Sequence, residues 1–230
     1  MQEPSAPFAR RATPPLQDVG PVLSRVTTRL AARYGRSFSR ETIERYVEEC
    51  SWLLTARARV DNHLPLLVER FADQRLGALA RGLGLSPKPV PEVLLVCTEN
   101  AGRSQLAAAL LRHRGEDGIR VLTAGSEPAG EIDPIVLRLL AEQGLDADGE
   151  FPKALTAEVV TAADVVVTLG CGDACPVLPG RRYLVWDLPE LSGLDIESAR
   201  AVRDALTVRI DALAEELLPV EGSPGTGCVG

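Results

Sequence analysis

The chain has 230 residues, 45% of them hydrophobic and 25% charged, which is enough for one or two compact domains with real cores. A formal net charge of −7 argues against general nucleic-acid affinity, since no basic excess is available to neutralise phosphates. No apolar run approaches a membrane span and the N-terminus lacks the apolar core of a signal peptide. Five cysteines suit reduced thiols better than a disulfide framework, so a cytoplasmic protein is expected.

Residues 1–18 contain Pro4, Pro7, Pro14 and Pro15 with little periodicity and read as a mobile tail. Residues 19–85 are helical in pattern and predict a small three-helix bundle. Val22, Val26, Leu30 and Tyr34 share one face of the first helix, with Gly35 as its stop. Ser39 caps the second, where Ile43, Tyr46, Val47, Cys50, Leu53 and Leu54 follow helical spacing. Leu64, Leu66, Leu67, Phe71, Leu76 and Leu79 line the third, ended by Gly82 and Gly84. Cys50 falls on an apolar face and reads as core, and His63 reads as a capping or surface histidine. The Pro-rich run 86–91 is a semi-rigid linker.

From 92 to 218 strand-like runs alternate with helical patterns, which predicts an α/β domain: a parallel four-stranded sheet flanked by helices. Val93–Val96 is an apolar run of the kind buried on both faces, and Cys97 ends it. Residues 119–124, 164–169 and 183–186 read as the remaining strands, with helices over 103–114, 134–143, a short one from Thr156, and 196–218. Asp133-Pro134 has the signature of an N-cap with proline at the first helical position. Residues 219–230 form a second mobile tail.

The chemistry is concentrated in Cys97-Thr-Glu-Asn-Ala-Gly-Arg103-Ser104. A strand, a tight loop and a helix N-terminus make an anion cradle. Successive amides turn inward, the helix dipole adds positive character, and Arg103 offers a planar fork to a tetrahedral oxyanion. Such a field favours the thiolate of Cys97, the nucleophilic form. The alternative is a buried core cysteine beside a solvated arginine.

Residues 91–218 resemble the low-molecular-weight tyrosine phosphatase fold, and within it the arsenate reductases of the actinobacterial type. The likeness rests on the Cys97–Ser104 loop, Thr123–Ala129, Phe151-Pro-Lys153, Val167–Pro176 and Trp186–Leu191. The segment before it is similar to a three-helix extension found in some members. The resemblance implies that Cys97 attacks arsenate and Arg103 holds it, while Thr98, Glu99, Asn100, Ala101, Gly102 and Ser104 shape the cradle. It also implies no bound cofactor and an external reductant, thioredoxin or mycothiol with mycoredoxin. Phosphate or sulfate would compete for the site. Family members place an Asp-Pro pair shortly after the tryptophan as the general acid. Here Glu190-Leu191 stands there, so Glu190 is expected to take that role, with Asp187 as its rival. Glu99, inside the loop, is expected to turn its carboxylate to solvent.

Cys171 and Cys175 follow the third strand, at the ligand end of the sheet. They read as a resolving pair, beginning with Cys171, or as bystanders to an external thiol. A zinc site is a poor reading of that spacing, with only two histidines in the chain. Cys228 reads as an incidental thiol. A tyrosine phosphatase is the competing function and a non-catalytic redox or oxyanion sensor a third. Neither a nucleic acid nor a membrane is expected as partner.

Overall fold

The computed structural model describes residues 20–56, 64–147, 149–170 and 177–218. The expected tails, His63, Cys171, Cys175 and Cys228 lie outside the described residues. Three helices, α1 (Gly20–Tyr34), α2 (Arg40–Thr55) and α3 (Leu64–Gly82), pack around a shared core of Val26, Leu30, Ile43, Val47, Cys50, Val68 and Phe71. Ser39 does cap α2, its hydroxyl accepting from the Thr42 amide at 3.3 Å. One expected core residue is corrected. Leu66 is 48% exposed, because Leu64, Val68, Phe71, Ala72 and Arg75 form the inner face of α3 instead.

The second half is a four-stranded, wholly parallel sheet in the order β2-β1-β3-β4, comprising β1 (Glu92–Cys97), β2 (Arg120–Gly125), β3 (Val165–Thr168) and β4 (Arg182–Val185). Every residue of β1 is buried, as expected of a strand covered on both faces. Side-chain alternation sorts the layers. Val93, Leu95 and Cys97 point into a core shared with α4 (Arg103–Gly115), α5 (Pro134–Ala141) and α7 (Ile196–Leu217). Leu94 and Val96 point the other way, toward α6 (Ala157–Ala162) and Ala78 of α3. A short 3₁₀ turn over Glu116–Gly118, not evident in the sequence, follows α4. Cys97 therefore ends the central strand on the face where α4 begins.

The bundle is joined to the sheet by polar as well as apolar contacts. Arg75 of α3 is 2% exposed, and its guanidinium binds Glu49 at 3.1 Å and Glu158 of α6 at 3.0 Å. The Tyr46 hydroxyl donates to the same Glu158 at 2.7 Å. At the start of β1, buried Glu92 is ion-paired to Arg81 of α3 and to Arg120 at 3.1 Å. A buried charge is tolerated only when partnered in this way.

Candidate active site

The loop between β1 and α4 folds tightly for reasons visible residue by residue. Asn100 adopts φ 50°, a left-handed conformation that asparagine reaches at modest cost because its amide bonds locally. Here it does so in both senses. Nδ2 donates to Ser104 Oγ at 2.9 Å, and Oδ1 accepts from the Lys153 amide at 3.0 Å. Gln105 Nε2 donates to the Asn100 carbonyl at 3.0 Å. The loop is also stitched to the segment after β2. The amides of Glu127, Ala129 and Asp133 donate to the carbonyls of Thr98, Glu99 and Ala101 at 2.8, 2.8 and 3.1 Å. Gly125 must be glycine: a Cβ there would lie 2.6 Å from the Thr98 carbonyl oxygen.

Cys97 Sγ, 3% exposed, lies 2.9 Å from Ser104 Oγ. Asn100 donates to that same hydroxyl, which leaves the hydroxyl's own proton free to point at sulfur. Helix α4 starts at Arg103 with no side-chain cap, so its N-terminal dipole faces the cleft. Arg103 is nearly buried, donating from Nη1 to the Leu188 carbonyl at 2.8 Å and from Nη2 to Glu190 Oε1 at 2.7 Å. Gly170 packs flat against this guanidinium, where a Cβ would come within 2.6 Å of Nη1. The Thr98 hydroxyl donates to the Gly170 carbonyl at 3.0 Å.

A cleft lined by Cys97, Glu99, Gly102, Arg103, Asp133, Glu190, Leu191 and Ser192 opens over this loop. Cys97, Arg103 and Glu190 thus share one cavity, whereas Asp187 is exposed and absent from its described lining. Glu99 is exposed, as expected, yet it also borders the cleft. Asn100 and Ser104 are fully buried and shape the loop from beneath. Asp133 was legible only as a helix cap, and it is one, accepting from the Ile135 amide at 3.0 Å, but it also lines the cleft. Gln105 gave no signal of its bond to Asn100, and Lys153 entered only through the family likeness of Phe151-Pro-Lys153, because its bond to the loop joins residues far apart in sequence. Among the described residues, no cluster suits a metal ion.

Residues 92–218 match the low molecular weight phosphotyrosine protein phosphatase family, and residues 23–80 match the protein-tyrosine-phosphatase-like N-terminal domain. The chain belongs to the low molecular weight phosphotyrosine protein phosphatase family. Within it, the chain is 44% identical to a thioredoxin-dependent arsenate reductase of Corynebacterium glutamicum. That structure superposes with a TM-score of 0.80, over 86% of this chain and 98% of the other. An arsenate reductase of Halalkalibacterium halodurans is 33% identical over 133 residues, 54% of this chain and 94% of that protein. A putative arsenate reductase of Halobacterium salinarum is 30% identical over 129 residues, again 54% of this chain and 91% of its own length. Among the described residues, no helix is long and apolar enough to cross a membrane.

Proposed function

We propose that this chain is an arsenate reductase. The observation that carries the reading is a thiol 2.9 Å from a serine hydroxyl at the end of the central strand, sharing a small polar cleft with a nearly buried arginine. Arsenate enters the ring of loop amides, with Arg103 as its principal cationic contact. The Cys97 thiolate attacks arsenic(V), and one oxygen leaves as water with a proton from Glu190, giving a cysteinyl-arsenic adduct. A second thiolate then attacks the Cys97 sulfur. The sulfur–arsenic electron pair passes to arsenic, which departs as arsenite, and the two sulfurs become a disulfide. The two electrons that reduce arsenic come from the two thiols.

Cys171 is the resolving thiol in this reading, with Cys175 next in the relay. Its immediate predecessor, Gly170, already touches both Thr98 and Arg103, which favours an internal relay over direct attack by a small external thiol. Thioredoxin, the reductant named for the Corynebacterium relative, regenerates the enzyme, and mycothiol with mycoredoxin is the alternative donor. The setting is the cytoplasm, where that reductant is found.

A phosphatase uses the same cysteine, arginine and acid. Against it, the described lining of the cleft has no aromatic ring and Leu191 as its one aliphatic member, so little apolar surface is offered to an aryl group. That suits a small inorganic oxyanion better than an aryl phosphate ester. The deciding experiment supplies purified protein with arsenate and thioredoxin or mycothiol, in parallel with p-nitrophenyl phosphate. Thioredoxin-coupled arsenite release with little ester hydrolysis is expected, and the reverse would establish a phosphatase. Mass spectrometry after arsenate treatment tests the relay, which fails if Cys171 and Cys175 both stay free.

A further inference from the structure

Among the described residues, the short segment 149–155 joins the three-helix bundle to the anion loop. Phe151 is buried in the core of the bundle, its ring meeting that of Phe71 edge-on with centroids 6.5 Å apart. Arg70 of α3 lies over Gly149 (φ 78°), where a Cβ would come within 2.6 Å of its guanidinium. The same segment faces the other way into the site. The Phe151 carbonyl accepts from Gln105 Nε2 at 3.3 Å and from buried Lys153 Nζ at 3.2 Å. The Lys153 amide donates to Asn100 Oδ1 at 3.0 Å, and its carbonyl accepts from the Gly125 amide at 2.9 Å. Asn100 holds the Ser104 hydroxyl, which lies on the Cys97 sulfur. An unbroken chain of contacts therefore runs from Phe71 through Phe151, Lys153, Asn100 and Ser104 to Cys97.

We propose that the bundle is a positioning element of the active site: by burying Phe151 it clamps the 151–153 backbone that holds Asn100, and so aims the Ser104 hydroxyl at Cys97. This rests on Cys97 being the nucleophile. The physical need is plain. Asn100 sits in a sparsely populated backbone region, and such a conformation persists only where the surroundings over-determine it. One of its two side-chain anchors is a backbone amide on a segment outside the named strands, which a single bridge from Ala154 to Gly125 ties to the end of β2 on one side, while burial of Phe151 holds it on the other. Arg103 is fixed separately, by Leu188 and Glu190, and does not depend on the clamp.

That separation shapes the test. In the full chain, Phe151→Ala loosens the nucleophile and leaves the arginine in place. Its kcat for arsenate is expected to fall about tenfold with KM within about threefold, and iodoacetamide should label Cys97 at an altered rate, read by peptide mass mapping. Leu30→Ala, which opens the same core from α1, supplies a control of comparable thermal destabilisation and should keep its kcat. Phe151→Leu, which refills most of the volume, should restore much of the loss and replaces the alanine variant if that does not fold. Unchanged kcat and labelling in a folded Phe151 variant, or an equal loss in Leu30→Ala, would overturn the proposal. Labelling needs no arsenate, so it tests the clamp even if the reductase reading itself fails.

Discussion

Among the described residues two cysteines stand near an arginine, and their surroundings are opposite. In the bundle, Arg75 Nη1 lies 3.6 Å from Cys50 Sγ, with Glu49 and Glu158 both accepting from Nη2. Burial pushes the Cys50 thiol up to about 12 in spite of that arginine. At the end of β1, Cys97 shares an open cleft with Arg103, beside a serine hydroxyl and an uncapped helix start. A cation alone does not activate a thiol. Access, oriented donors and a ligand-sized space beside the sulfur are what distinguish the second pair.

The largest expected effect separates the two sulfurs directly. Cys97→Ser should reduce arsenate turnover by at least about a thousandfold, while Cys50→Ala should keep the activity and lose only stability. Iodoacetamide followed by peptide mapping should mark Cys97 well before Cys50, and preferential labelling of Cys50 would invert the comparison.

The two arginines differ in the same sense. Arg75 is held by buried Cys50, by Glu158 with a side chain 13% exposed and by a more exposed Glu49, whereas the one ion-pair partner described for Arg103 is Glu190, whose side chain is 64% exposed. The carboxylate end of this pair is solvated and screened, so an arriving oxyanion can displace it. Glu190→Gln should lower kcat by about a hundredfold, as expected for a lost general acid. The same variant should bind inorganic phosphate or sulfate no more weakly than the parent by calorimetry. Asp187→Asn should change neither quantity; if it mimicked Glu190→Gln, the assignment of the acid would move.

A smaller effect belongs to the rim. Glu99→Gln removes one carboxylate bordering the cleft and should lower the KM for arsenate by about two- to fivefold, the scale of a solvated charge–charge term. An unchanged KM would mean that its charge is screened by solvent. The smallest effect concerns stability in alkali. Folding raises the Cys50 thiol from an ordinary 9.0 to about 12, mainly by burial. The folded chain therefore keeps a proton that the unfolded chain has released, so this contribution is full below about pH 9 and is lost as pH climbs toward 12. Tyr34, raised from 10.0 to about 12 by burial and by Asp73, adds to the same slope. Chemical denaturation across that range should show a shallower decline in Cys50→Ala.

Much of this was readable from local pattern. The helix and strand segments follow apolar periodicity, and the cap at Asp133 follows from residue chemistry that acts over a few positions. The one core assignment that failed did so for a local reason as well. In Leu64-Pro-Leu-Leu, adjacent leucines offer more than one face, and only packing against α1 and α2 shows that Leu66 lies outside. Buried Arg75 could not be foreseen, since its partners Glu49 and Glu158 stand far from it on either side in the chain.

The sequence by itself determined the parallel α/β half, the helical half and the Cys97–Ser104 loop, because strand, tight turn and helix start are encoded by neighbours. Only the tertiary structure decided that Glu190 rather than Asp187 meets Arg103, that Glu99 and Asp133 rim the cleft, and that Phe151 ties the bundle to Asn100. Each of these is a contact between segments brought together by the sheet, and side-chain direction across such distances is set by packing, which no short stretch of residues specifies.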